Sequence, residues 1–189
     1  MLSFFKKDFL NQLWLNFEKL LEIKNQNNEF KLLPSSGLLL SKVYDNDFLV
    51  DIKSNLKIIL NQGEGATKTK IKIVEDSDDM EWVLLSDKNL FDLLSSVYTA
   101  VNAININSNI NNLIAISLKF SLNIDKKEKI IFLIYRMDLR SFYPFAPTSN
   151  KLGDRNDEIE KLFFDFLRSN RIKLENNKRN WLGLWGIPV

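Results

Sequence analysis

Apolar residues recur at every third or fourth position along four stretches of the chain, a spacing that predicts amphipathic helices. The first helix covers about residues 1–24 and the last about residues 154–168. The expected N-caps are Asp45 or Asp47 for the second helix and Ser86 or Asp87 for the third. The apolar faces are Phe5, Phe9, Leu13, Phe17 and Leu20/Leu21; Phe48, Ile52, Leu56 and Ile59/Leu60; Leu90, Leu93/Leu94, Val97, Val101 and Ile104; and Ile159, Leu162/Phe163 and Phe166/Leu167.

Short apolar runs, several with polar and apolar residues in alternation, predict five strands between these helices. Their expected bounds are Gly37–Val43, Lys70–Ile73, Glu81–Leu85, Leu113–Phe120 and Lys129–Met137. The polar turn over residues 123–128 joins the last two strands as a hairpin, and the second and third strands form another. Because strands joined by hairpins are antiparallel, we expect a single α+β domain over residues 1–189, with a largely antiparallel sheet and about four helices packed on it.

The C-terminal third carries the most distinctive aromatic residues. Residues 142–147, Phe-Tyr-Pro-Phe-Ala-Pro, are expected to form a rigid connector, since a proline disfavours helix both at its own position and at the residue before it. The aromatic tail, residues 170–189, contains Trp181 and Trp185. We expect the tail to return over Tyr143, Phe145 and one edge of the 113–137 hairpin, because large aromatic groups near a chain end usually become buried. An aromatic site for a peptide or ligand is the alternative.

Composition excludes several kinds of chemistry. The chain has no cysteine and no histidine, so thiolate catalysis, Ser-His-Asp triads and sites with His or Cys metal ligands are absent. The net charge of +2 is too balanced for a nucleic-acid partner. We expect no catalytic, cofactor-binding or metal-binding residues. A Mg²⁺-dependent enzyme that uses carboxylates stays open as an alternative, although the acidic run over residues 75–79 is more typical of a solvated hairpin loop.

The first helix also bears on localisation. No apolar run approaches the roughly 20 residues that span a bilayer. Lys6, Lys7 and Asp8 interrupt the apolar start where a signal peptide would be unbroken. These features predict a cytoplasmic protein. The helix could still lie on the inner face of the membrane, with Phe4, Phe5, Phe9 and Trp14 on its apolar side, although packing in the core is the favoured interpretation.

Two further features follow the 142–147 segment: a helix start with Asp154, Arg155 and Glu158, and an ending with Trp181 and Leu-Trp-Gly-Ile-Pro over residues 184–188. With these features the C-terminal third resembles the PspAB family of PspA-associated proteins. The resemblance is strongest over residues 97–189, and the chain length agrees. The positions on which this resemblance rests form the candidate interaction or structural signature: Phe142, Tyr143, Pro144, Phe145, Pro147, Asp154, Arg155, Glu158, Trp181, Trp185, Gly186 and Pro188.

The resemblance implies a context and assigns no reaction. It places the protein in a phage-shock or envelope-stress system built on the membrane-remodelling protein PspA, often beside an HtpX-like membrane protease. We therefore expect a non-enzymatic adaptor that binds PspA or that protease. Peripheral membrane binding through the first helix is one alternative, and the Mg²⁺-dependent enzyme is the other. A membrane surface and a second copy of the chain stay open as partners, and nucleic acid is not expected.

Overall fold

The computed structural model describes residues 2–23, 29–42, 46–62, 66–76, 79–124, 127–149 and 153–189. These residues contain five α-helices and six strands, with short 3-10 turns at Ile110–Asn112 and Lys178–Asn180. The elements in chain order are α1 (Leu2–Ile23), β1 (Phe30–Ser41), α2 (Asp47–Val50), α3 (Ile52–Asn61), β2 (Lys70–Glu75), β3 (Met80–Ser86), α4 (Leu90–Asn107), β4 (Leu113–Ile124), β5 (Lys127–Arg136), β6 (Ser141–Phe145) and α5 (Asp157–Ser169).

The six strands form one sheet in the order β2-β3-β1-β4-β5-β6. Every pairing is antiparallel, and β1 lies between β3 and β4, with Leu38 opposite Val83 on one side and Ile116 on the other. The predicted class, a single α+β domain with a largely antiparallel sheet, is confirmed. The four predicted helices are present, but the second, predicted as one helix with Phe48 and Ile52 on its face, is divided at Asp51 into α2 and α3.

The helices cover one face of the sheet and bury most of the periodic residues. From residue 9 onward the face of α1 is buried as its spacing predicts, with Leu13 and Phe17 fully inaccessible. The long helix α4 packs against α1 and against β1 and β3. Its buried face contains Leu90, Leu93, Leu94, Val97, Val101 and Ile104. None of the helices within the described residues is long and apolar enough to cross a bilayer.

Both predicted helix caps shift to neighbouring asparagines. The side chain of Asn46 accepts the Leu49 N–H at 3.1 Å, so Asn46 caps α2, and Asp47 is the first helical residue. Asn89 caps α4 by accepting the Phe91 N–H at 2.9 Å. Asparagine accepts these bonds as well as aspartate does, so residue type alone did not decide between adjacent candidates. The other candidate, Asp45, lies outside the described residues.

Several predicted boundaries also move. β1 begins at Phe30, well before the expected Gly37. Pro34 does not interrupt the strand, because it falls at a register shift between β1 and β4, where a proline is tolerated. The last helix begins at Asp157, where Asn156 caps it, and not at Asp154. Residues 24–28, 43–45 and 63–65, and two residues of the acidic run, lie outside the described residues.

The opposite face of the sheet has a smaller apolar cluster of its own. Its buried members are Leu39, Trp82, Ala115, Phe132, Ile134, Tyr143 and Phe145. The aromatic tail crosses this face, and Trp181, Leu184, Trp185, Ile187 and Val189 pack on the cluster. The sheet therefore lies between a helical layer and a C-terminal strap.

Candidate interaction site at the C-terminal signature

Most of the 142–147 segment, up to Phe145, belongs to the sixth strand and is not the connector that the sequence predicted, while Pro147 lies just after that strand. β6 pairs antiparallel with β5 over Ser141–Phe145, opposite residues 132–136. The prolines exclude helix but do not exclude an edge strand, where one side of the backbone has no neighbouring strand to receive its N–H groups. Pro144 lies within this edge strand and is buried.

The outer edge of β6 is closed at each successive outward position. The N–H of Phe142 donates to the Lys173 carbonyl at 3.0 Å. Two residues later, Pro144 has no N–H to satisfy. Two residues later again, the N–H of Ala146 donates to the carboxylate of Glu160 at 3.0 Å. No outward donor of this segment is left to attract another strand.

Glu160 and Arg155 form a buried ion pair that ties three parts of the chain together. Glu160 has no exposed surface, and its Oε1 accepts from Arg155 Nε at 2.7 Å. Arg155 also donates from Nη1 to the Trp181 carbonyl at 3.3 Å, and its guanidinium lies 5.2 Å from the centre of the Phe145 ring. The ammonium of Lys178 lies 3.8 Å from Glu160 Oε2. The pair therefore connects β6, α5 and the tail.

Tyr143 fixes the start of the tail on the sheet. Its ring stacks on Trp181 at 6.1 Å, with the planes 17° apart, and its hydroxyl donates to the Leu182 carbonyl at 3.0 Å. Trp181 is held from its other end, because its indole N–H donates to the Glu175 carbonyl at 2.9 Å. Both polar tips are thus paired while the rings are shielded, as buried Tyr and Trp require.

The burial of Tyr143 predicts a loss of stability at alkaline pH. Desolvation is the main cause that raises the pKa of this phenol above its ordinary value, and burial likewise raises the pKa of Tyr135 to about 12. The unfolded phenol loses its proton near pH 10. The stabilising contribution is therefore fully present below about pH 10 and is lost as the pH rises above it, because only the folded state retains the proton.

We expect Tyr143→Phe to cost about 1 kcal/mol at neutral pH through its lost hydrogen bond, and to flatten the decline in stability between about pH 10 and 11. Urea unfolding across that pH range measures both effects. Tyr135→Phe is the comparison: it flattens the decline while leaving the tail contact intact. An unchanged pH slope in Tyr143→Phe would contradict the proposed proton linkage.

Trp185 closes the tail over Phe145. The two rings meet edge to face at 5.4 Å, and the indole N–H donates to the Asp154 carbonyl at 3.3 Å. The indole folds back on Gly183 so closely that a Cβ there would lie 2.0 Å from a ring atom, hence only glycine fits. Gly186 follows with φ +77°, a conformation that glycine adopts without strain.

The remaining signature positions serve different purposes. Pro147 forms an isolated antiparallel bridge with Arg155, which brings the chain before α5 back against the end of β6. Asp154 accepts the Trp185 indole through its backbone, so its side chain is not part of that contact. Pro188 is half-buried in the tail. Glu158 lies on the exposed side of α5, away from the residues that the structure brings together.

Sequence reasoning missed Glu160 and Lys178. Lys178 donates to the Asp157 carboxylate at 2.7 Å, and this bond lowers the pKa of Asp157 below its usual value. The first turn of α5 contains three acidic residues, a distribution that the helix dipole favours. Their acidic character alone therefore does not show which of them is buried. The usable signal was position: Glu160 and Ile159 precede Phe163 by three and four residues and share its buried face.

An open apolar groove adjoins the tail where Leu182 leaves the sheet. This Leu182 groove has a volume of about 370 Å³. Its apolar lining comes from Phe9, Ile110, Leu113, Ile114, Met137 and Leu182, and its polar lining from Asn111, Arg136, Asp138 and Arg140. Arg136 is held in place by Asp138 and by a 2.8 Å bond to the Asn180 carbonyl. Arg140 lies over the Phe9 ring at 5.8 Å.

Within the part of the chain that the structure describes, no group of three or more acidic side chains could hold a metal ion. The signature itself contains buried rings, a paired arginine and backbone hydrogen bonds. Such an arrangement can hold the tail in place and shape the groove beside it.

Comparison with known proteins gives one positive result. No curated protein and no solved structure matches the chain. A family model described as "PspAB: PspA associated protein B" matches residues 15–189. The match covers nearly the whole fold, including the end of α1 from residue 15, the sheet, the ion pair at Glu160 and the tail, and so the chain belongs to the PspAB family.

Proposed function

We propose that this protein is a non-enzymatic adaptor that binds a PspA-like protein in the response to envelope stress. The observation that carries the proposal is the match of residues 15–189 to a family described by its association with PspA. An HtpX-like membrane protease is the second candidate partner, and the adaptor could bring the two together from the cytoplasmic side. The geometry supports this proposal by offering an open apolar groove, of about 370 Å³, beside the family signature.

The Leu182 groove is the part of that surface that we assign to the partner. Leu182 is 47% exposed, while the apolar side chains beneath it, such as Leu113 and Phe9, are buried. An exposed aliphatic anchor beside an apolar floor, with arginines at the rim, is typical of protein–protein contacts. The signature supports the groove from below because the Tyr143 hydroxyl fixes the Leu182 backbone.

The signature rings themselves do not provide this surface. Tyr143 and Phe145 have no exposed area, and Trp181 and Trp185 cover them. A partner could reach these rings only after the tail had left the sheet. We therefore assign the rings to holding the tail and the groove to binding.

Replacing Leu182 with serine tests the assignment. The side chain is exposed and its backbone bond to Tyr143 is kept, so Leu182→Ser should fold normally. We expect binding to purified PspA from the same organism to weaken about tenfold or more, since burying a leucine at an interface contributes roughly 1.5–3 kcal/mol. Titration calorimetry with the full chain measures the change.

Leu162→Ser is the matched control, since Leu162 is 42% exposed on α5 and does not line the groove. It should bind PspA like the parent. Equal loss in both variants, or undiminished binding in Leu182→Ser, would show that PspA does not use the groove. If the parent binds the protease and not PspA, the adaptor role persists with the other partner.

Peripheral membrane binding through α1 receives less support from the geometry. The described apolar side chains of this helix, from Phe9 to Ile23, include Leu13, Phe17 and Leu20 in the buried core. Trp14 packs against Phe91 and Tyr98 of α4. These side chains pack against other parts of the protein, so they cannot insert into lipid while the protein is folded.

A further inference from the structure

The two edges of the sheet differ in whether their outward backbone groups have hydrogen-bond partners. At the β6 edge, backbone bonds from the tail and the Glu160 carboxylate satisfy the outward N–H groups. At the other end, β2 is the last strand, and no described segment pairs with its outer side. In an antiparallel strand, alternate residues direct both N–H and C=O outward, so β2 presents a row of unpaired donors and acceptors.

A cleft lined by lysines runs beside this open edge. This lysine cleft, of about 460 Å³, lies between α3, which provides Lys53 and Lys57, and the start of β2, with Lys68 and Lys70. All four side chains are exposed, and among the described residues none has an ion-pair partner. The other residues that line it are Asn61, Thr67, Thr69 and Ile71, so none of its described lining is acidic.

The neutral lining groups are largely occupied within the protein. Thr67 and Thr69 share hydrogen bonds with the buried hydroxyl of Ser96, and Thr69 also donates to Asp87 at 3.0 Å. The Asn61 amide donates to the Thr69 carbonyl at 3.1 Å. A ligand in the cleft would therefore meet lysine charge and the backbone of the β2 edge, and it must be complementary to both.

We propose that the lysine cleft and the β2 edge bind an extended acidic segment of another protein, which adds to the sheet as a seventh strand. A peptide backbone offers alternating donors and acceptors that match those of the edge, a mode of recognition known as β-augmentation. Lys70 and Lys72 are both exposed, two residues apart, and so lie on the same side of β2. Carboxylates at alternate positions of the added strand would face them. Carboxylates at the positions between would face Lys53 and Lys57, because α3 packs on the other side of β2, with Ile71 and Ile73.

Three other occupants fit less well. A second copy paired through β2 would bring two lysine clefts, neither with an acidic residue in its described lining, to one edge, and this accumulation of like charge disfavours self-pairing. Nucleic acid and anionic lipid satisfy the lysines, but their phosphates only accept hydrogen bonds and cannot pair the outward C=O groups of β2. A flat lipid surface would also meet only the rim of a concave cleft.

The test uses the full chain and two fluorescent decapeptides. The first alternates glutamate with valine, and the second has the same sequence with every backbone nitrogen methylated, which keeps the charge but removes the N–H donors from both edges of the peptide. We expect the first peptide to bind and the second to bind at least about tenfold more weakly. Lys57→Glu combined with Lys70→Glu should weaken binding of the first peptide by at least about tenfold, because exposed charge pairs each contribute up to about 1 kcal/mol and reversal also adds repulsion.

Lys31→Glu combined with Lys129→Glu is the matched control, since both lysines are exposed, lie on other strands and give the same change in net charge. It should bind like the parent, and all variants should show the parent's circular dichroism spectrum. Equal binding of the two peptides, or equal loss in the control, would overturn the proposal. So would a dimer that dissociates only in the Lys57/Lys70 variant, or tighter binding to phosphatidylglycerol vesicles or to an oligonucleotide than to the unmethylated peptide.

Discussion

Replacing Glu160 with alanine should destabilise the fold by about 3–5 kcal/mol, the usual cost of removing one member of a buried ion pair. The carboxylate has no exposed surface and accepts from both Arg155 and the Ala146 N–H. Its loss removes the counter-charge of Arg155 and leaves the Arg155 Nε–H and the Ala146 N–H without their acceptor. For a chain of this length, the melting temperature should fall by about 10 °C or more, and thermal unfolding followed by circular dichroism measures it.

The neighbouring Glu158 provides the control. Glu158→Ala, on the exposed side of the same helix, should change stability by no more than about 0.5 kcal/mol. Removing Arg155 together with Glu160 should cost less than the sum of the two single changes, because the double variant has no uncompensated charge. If Glu160→Ala melts like Glu158→Ala, the ion pair does not hold β6, α5 and the tail together.

The repeating patterns of the sequence were enough to predict the class of fold. The spacing of Leu13 and Phe17 predicted a buried helix face, and both residues are inaccessible in the structure. The hairpins on either side of α4 predicted antiparallel pairing, which extends to the whole sheet. Such patterns are visible in a sequence because burial of one face repeats with the period of the element itself.

The strand at Ser141–Phe145 shows where local rules become insufficient. The prolines were correctly taken to exclude helix, but a proline is also compatible with a strand whose outward side needs no N–H. Whether a segment is an edge strand depends on which elements lie beside it. For Ser141–Phe145 the neighbouring groups belong to Lys173 and Glu160, which are distant along the chain, and no local pattern contains this information.

The candidate site was therefore predicted in part. The sequence predicted that Trp181 and Trp185 would return over Tyr143 and Phe145, because exposed aromatic rings need burial, and the structure places them there. It did not identify Glu160, since charged residues are rarely buried and each acidic residue in the first turn of α5 has a sufficient explanation in the helix dipole. The open β2 edge likewise follows from the order of strands in the sheet.

Trp185→Ala should lower stability by about 2–3 kcal/mol, somewhat less than truncation of a fully buried tryptophan because this indole is half-exposed. The change removes the edge-to-face contact with Phe145 and the bond to the Asp154 carbonyl. Chemical unfolding should therefore show a clear decrease in the midpoint. If the variant instead unfolds like the parent but no longer binds PspA, Trp185 is a binding anchor and the tail is the functional site.

A double-mutant cycle between Trp185 and Gly183 tests whether the Trp185 ring packs on Gly183, which the Trp185→Ala change alone cannot show. Gly183→Ala alone should destabilise the protein, because its new Cβ would lie 2.0 Å from the Trp185 ring and would displace the indole from Phe145. In the Trp185→Ala background the ring is absent, so adding Gly183→Ala should cost little more. The double-mutant cycle should therefore show a coupling of about 1 kcal/mol or more. Simple additivity would mean that the indole does not fold back on Gly183 in solution, and that the strap over Phe145 is held by its other contacts, at Tyr143 and Arg155.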